Sequence, residues 1–89
     1  MKAIVTVLGK DRTGIIANVC TLLAEKQCNI LDISQTVMKE CFTMTMVIDL
    51  TNSTESFAQV AQELKAAGEK IGLNIRMQSE DIFNLMHKI

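Results

Sequence analysis

With 89 residues, 48% of them hydrophobic and 21% charged, the chain reads as one apolar-rich globular domain that buries about 60–65% of its unfolded surface, not as a disordered segment. A formal net charge of −1 excludes the basic face of a general nucleic-acid binder, and no run of about 18 apolar residues is present to span a membrane. The amino terminus, Met1-Lys2-Ala3-Ile4, passes straight into strand-like sequence without a signal-peptide pattern, so a cytoplasmic location is expected.

Residues 3–8 are a β-branched and aliphatic run, the composition of a mostly buried strand. The polar bend that follows, residues 9–14, leads into Ile15, Ile16, Val19, Leu22 and Leu23, spaced as one helix face. This first helix is expected from residue 13 or 14 to residue 26. Asp11 or Thr13 is the candidate cap, Gly14 allows close backbone approach, and Asn29 suits the left-handed exit. Leu31, Ile33 and Val37 then alternate with Asp32, Ser34 and Thr36, predicting a half-buried strand. Lys39-Glu40 forms a charged turn, and Phe42, Met44, Met46, Ile48 and Leu50 alternate with Cys41, Thr43, Thr45, Val47 and Asp49. The two strands read as an antiparallel hairpin.

Asn52 with Glu55 three residues on makes a capping-box-like start for a second helix, with Ser53 or Thr54 as alternative caps. Phe57, Val60, Ala61, Leu64, Ala67 and Ile71 form its apolar face, Gly68 lies late in it and Gly72 ends it. Residues 73–78 alternate as a fourth strand. The order βαββαβ predicts an α+β, ferredoxin-like domain over residues 1–79, a four-stranded antiparallel sheet with two helices on one face. The other face is left uncovered. It carries either Ile4, Thr6, Leu8, Asp32, Ser34, Thr43, Thr45 and Val47 or their alternates, and a partner subunit is expected there. Ser79, Glu80 and Asp81 open a short C-terminal helical tail, residues 80–89, with Ile82, Phe83, Leu85, Met86 and Ile89 as its stripe. It packs on its own domain or on a neighbouring subunit, not on a membrane.

The chemistry-bearing residues are few. His87 is the single histidine and reads as a solvent-facing residue near a helix end. Cys20, Cys28 and Cys41 are odd in number and form no CxxC pair, so each is expected as a small buried hydrophobe; no metal and no cofactor is expected. Met38, Met44, Met46 and Met77 read as adaptable core filler, a methionine-lined ligand surface being the alternative. No nucleophile–base pair can be assembled, so the chain is not read as an enzyme. The bend at residues 9–14 lacks the spacing of a phosphate loop. A strand feeding a helix nevertheless presents unpaired backbone N–H groups at the helix start, which suit a carboxylate. On that reading N–H groups near Gly14 and Ile15 meet the ligand's carboxylate and Asp11 pairs with its ammonium. Asn29 completes the site from a facing subunit, or Arg12 anchors an anion bidentately. The competing reading is a plain strand-to-helix connector.

The run from Gly9 to Ala17, the Leu22-Leu23-Ala24-Glu25 segment and the run from Asn29 to Thr36 closely resemble the ACT domain, over about residues 3–78. Small stand-alone bacterial members, and the ACT modules of formyltetrahydrofolate deformylase and of the glycine-cleavage repressor, are the most similar. The resemblance implies a βαββαβ fold, side-by-side or face-to-face homodimers or higher oligomers, and an amino acid or similar metabolite bound between subunits. It assigns ligand contacts to Asp11, Arg12, Thr13, Gly14 and Ile15, with Asn29 and Ile30 contributed across the interface. The family commonly has proline before the key glycine; Thr13 stands there, making the loop less rigid. The implied protein is a non-enzymatic regulatory module that signals through another regulatory or metabolic protein. The alternative is a structural interaction module that binds no small molecule.

Overall fold

Alternation and helical spacing become six elements in a computed structural model, which describes residues 1–10, 14–81 and 84, with Ile15 and Met38 given by backbone alone. They are β1 (Lys2–Lys10), α1 (Ile15–Glu25), β2 (Asn29–Met38), β3 (Cys41–Asp49), α2 (Phe57–Lys70) and β4 (Asn74–Ser79). The strands form one antiparallel sheet in the order β2-β3-β1-β4, the ferredoxin-like arrangement. Glu80 and Asp81 are helical; the rest of the tail's apolar stripe, and His87, lie outside the described residues.

The register settles which side chains share a face. Val5 stands opposite Met46 and Val7 opposite Met44, while on the other side Val5 meets Met77 and Val7 meets Ile75. These side chains meet Val19 and Leu23 of α1 and Val60 and Leu64 of α2 in one core, so both helices cover the same sheet face. Met44, Met46, Ile48, Leu23 and Leu64 are fully buried, each contributing about 1.5–3 kcal/mol. Gly68 lets α2 sit close on β4: a Cβ there would lie 2.8 Å from the Ile75 side chain.

The opposite face carries Ile4, Thr6, Leu8, Thr43, Thr45, Val47, Asp32 and Ser34. It is not bare throughout. Leu8 is 44% exposed, but Ile4 only 6%, and Thr6, Thr43, Thr45 and Val47 are half-buried on inner strands flanked from both sides.

Local details differ from the sequence expectation in four places. The N-cap of α1 is Gly14, at φ 85°, so neither Asp11 nor Thr13 occupies the cap position. Gln27, not Asn29, takes the left-handed exit (φ 61°). Gln27 N–H donates to Ala24 C=O and Cys28 N–H to Leu23 C=O, a Schellman pattern that puts the left-handed residue two positions past the last helical one. Ser56 caps α2, its hydroxyl accepting from Gln59 N–H at 3.2 Å, whereas Ser53 accepts from Glu55 N–H within the preceding turn. Finally, β2 is not half-buried: Leu31, Ile33 and Val37 are 50%, 39% and 53% exposed, because β2 is an edge strand reaching past the cover of α1.

Of the cysteines, only Cys28 is a buried hydrophobe; Cys20 is half-buried and Cys41 exposed beside the Lys39-Glu40 turn. Burial pushes the Cys28 thiol pKa up.

Candidate functional site

The β1–α1 connection begins where β1 passes tightly under the turn before β4. Gly9 suits the crowding there, since a Cβ would fall 2.5 Å from the Leu73 side chain and force it to shift. At the far end Gly14 is required for its backbone instead: φ is 85°, and a Cβ would meet nothing within 4 Å. Among the described residues, then, none crowds this helix start. Gly14 C=O receives the first helical bond, from Asn18 N–H at 2.9 Å, so the N–H groups of Ile15, Ile16 and Ala17 precede the helical ladder and carry the positive end of the α1 dipole. A glycine cap supplies no side-chain oxygen of its own. The arrangement suits a carboxylate. Asp11, Arg12 and Thr13 lie outside the described residues.

Asn29 and Ile30 sit elsewhere. Asn29 opens β2, exposed, opposite Asp49; Asp49 is in turn opposite Lys2, the first residue of β1. Ile30 points to the helix side with Ile48 and is half-buried against the core. Gly14 follows the other end of β1, where Lys10, Cys41 and Met38 share a row. Within one chain the two halves of the predicted site thus flank opposite ends of α1, whose 11 residues span about 16 Å at ~1.5 Å rise per residue.

The Asn29 end is electrostatically ordered. Asp49 Oδ1 accepts from the Thr51 hydroxyl at 2.6 Å and the Thr51 N–H at 2.9 Å, with the Met1 ammonium 3.6 Å away. The Thr51 hydrogen bonds, chiefly, hold its carboxyl pKa below the usual value. On the helix layer, Lys26 at the end of α1 donates to Glu63 of α2 and, at 3.2 Å, to Glu55. The Glu63 bond raises the Lys26 pKa, against the opposing effect of partial burial, and the bond from Lys26 lowers that of Glu63.

Two features went unnoticed in the sequence. The exposed aliphatics of β2 were legible as an alternating strand, but nothing local marks a strand as an edge. A trough of about 890 Å³ runs along α2 and β4. None of the sequence-predicted site residues lines it, and its signal, two basic residues on different elements, exists only after folding.

Residues 2–78 match the profile of the ACT domain. The whole chain is 55% identical over 89 residues to a UPF0237 protein of Clostridium acetobutylicum, covering 100% of both. A UPF0237 protein of Methanocaldococcus jannaschii is 48% identical over 88 residues, 99% of this chain and 98% of that one. Among solved structures, an ACT domain protein from Streptococcus pneumoniae superposes with a TM-score of 0.83 at 44% identity, over 93% of each chain. A putative glycine cleavage system transcriptional repressor gives 0.76 at 28% identity, over 86% of this chain and 44% of that one.

Proposed function

Since this chain belongs to the ACT domain family, we propose that it is a non-enzymatic regulatory protein that binds an amino acid or similar small metabolite between two copies of itself. The observation that carries the reading is that Gly14 and Asn29 flank opposite ends of α1, so one chain does not bring them together. A two-fold axis beside β2 would pair that strand antiparallel with its mate. The Asn29 end of each copy then comes to the sheet end from which the other copy's β1–α1 loop rises. The edge is suited to this: Ile33 and Val37 lie on the helix-side face, 39% and 53% exposed, and association would cover them. In the assembled site the N–H groups near Gly14 and Ile15 receive the carboxylate and Asp11 meets the ammonium. Arg12 and Thr13 complete the loop, and Asn29 and Ile30 close the site from the second copy. No helix among the described residues is long and apolar enough to cross a membrane. A cytoplasmic place and a regulatory or metabolic protein partner complete the reading, with the tail, residues 80–89, an appendage to the domain.

Calorimetric titration with each standard amino acid, on wild type and Asp11→Ala, tests it. One ligand or a small group should bind, stabilising the fold by about 2–3 kcal/mol at a hundredfold excess over Kd, and Asp11→Ala should abolish the heat. Binding indifferent to the substitution would remove the ammonium partner. Silence from every amino acid would favour the structural interaction module.

A further inference from the structure

We propose that the C-terminal tail, residues 80–89, folds back as a helix over the open sheet face at Ile4 and Val47, and that by occupying this face it keeps a second copy from stacking there. The observation is a burial that the helix-side core does not supply. Ile4 is 6% exposed in a single chain, yet it is no member of the core cluster built with α1 and α2. Its chain neighbours Ala3 and Val5 belong to that core, so strand alternation turns Ile4 to the other face, beside Val47. Flanking strands alone do not bury a residue here. Thr6 sits between Thr45 and Arg76 and is half-buried; Leu8, between Thr43 and Asn74, is 44% exposed. The cover on this face therefore lies at the Ile4 end of β1 and is gone by Leu8, about 13 Å along the strand.

That end is where the tail leaves the sheet. Ser79, the last residue of β4, stands opposite Ala3, and Lys2, Glu80 and Asp81 line one small cavity with Met1. The other segment that starts at this end, residues 50–56, goes to the helix side, where Leu50 joins the core and Glu55 accepts from Lys26. Glu80, Asp81 and Asn84 are helical, and Asp81 and Asn84, one turn apart, are both exposed. With Lys88 they form the outward row of a helix whose opposite side carries Ile82, Leu85, Met86 and Ile89. As a helix, residues 80–89 span about 15 Å, enough to cross from β4 over β1 to β3 at ~4.8 Å between strands. A helix about 10 Å wide covers the rows of Ile4 and Thr6 and leaves Leu8 bare, matching the burial along β1. Ile4, Val47 and Leu8 without this cover would make an aliphatic patch open to a second copy.

The test is methyl NMR on the full chain, labelled at Ile, Leu, Val and Met. Nuclear Overhauser contacts are expected from Ile4 and Val47 to Leu85 and Met86, and within single chains when labelled and unlabelled protein are refolded together. Ile82→Asp with Met86→Asp should erase these contacts while the Val5 and Val7 methyl shifts stay. The sedimentation mass should then rise about twofold over wild type at equal concentration, and Thr45→Lys on the bared face should return it to the wild-type value. Reading the mass against wild type keeps the result independent of pairing through β2. Absence of the contacts, contacts only between chains, or an unchanged mass once the tail is detached would each overturn the proposal.

Discussion

β2 and β3 are adjacent strands with the same alternating pattern, and their fates differ. Met46 and Ile33 are direct cross-strand partners on the same sheet face; Met46 is fully buried while Ile33 is 39% exposed. The pair Phe42 and Val37 repeats the contrast at 4% and 53%. Alternation therefore says which residues share a face and nothing about whether the face is covered. Helices α1 and α2 bury the inner faces of β3, β1 and β4 and the Ile30 end of β2, and leave Ile33 and Val37 of β2 exposed.

The largest effect that sharpens this contrast is Met46→Ala. Thermal unfolding should show a loss of about 2–5 kcal/mol, independent of protein concentration. Ile33→Ala, one strand over, should change the dilute protein by no more than about 0.5 kcal/mol yet, if β2 pairs as proposed, lower the melting temperature at high concentration. Equal losses at both positions in the dilute protein would mean that β2 is covered within its own chain.

A middle-sized effect gives a baseline remote from both strands. Ser56→Ala removes the α2 cap and should lose about 1 kcal/mol in denaturant unfolding, whereas Asn52→Ala, in the turn before the helix, should be close to neutral.

The smallest effect is electrostatic. Asp49, opposite Asn29, has a depressed carboxyl pKa in the folded state, so its stabilisation is present above the ordinary carboxylate range and fades as pH falls through the folded value. Lys26 has a raised pKa; its stabilisation holds below the ordinary lysine value and is lost as pH climbs past the folded one. Cys28, whose thiol pKa burial also raises, adds a loss that sets in as pH climbs past the ordinary thiol value, so melting temperature should be flat only between the carboxylate and thiol ranges. Thr51→Val should shrink the acid-side decline and Glu63→Gln the alkaline one.

Much of the fold was legible. The alternation of residues 41–50, the helical spacing from Phe57 to Ile71 and the glycine at 72 each fixed an element, because each is a short-range pattern with a local cause. The caps were not: Ser56 with Gln59 is itself an S-x-x-Q box, but Asn52 with Glu55 offers the same chemistry four residues earlier. The apolar face decides between them by starting at Phe57. Of the site, Gly14 was expected for close backbone approach; among the described residues nothing lies within 4 Å of a Cβ there, and its left-handed φ of 85° is what calls for glycine. The place of β2 at the sheet edge was unreadable, since it depends on strand order, which couples residues far apart in the chain.

The site shared between copies is tested most directly by mixing two defective proteins. Asp11→Ala and Asn29→Ala should each fail to bind the amino acid that the wild type takes. After unfolding and joint refolding, half of the dimers are mixed and each regains one intact site, so calorimetry should recover about one quarter of the wild-type stoichiometry. No recovery on mixing, with dimers demonstrably exchanged, would contradict a ligand held between two chains.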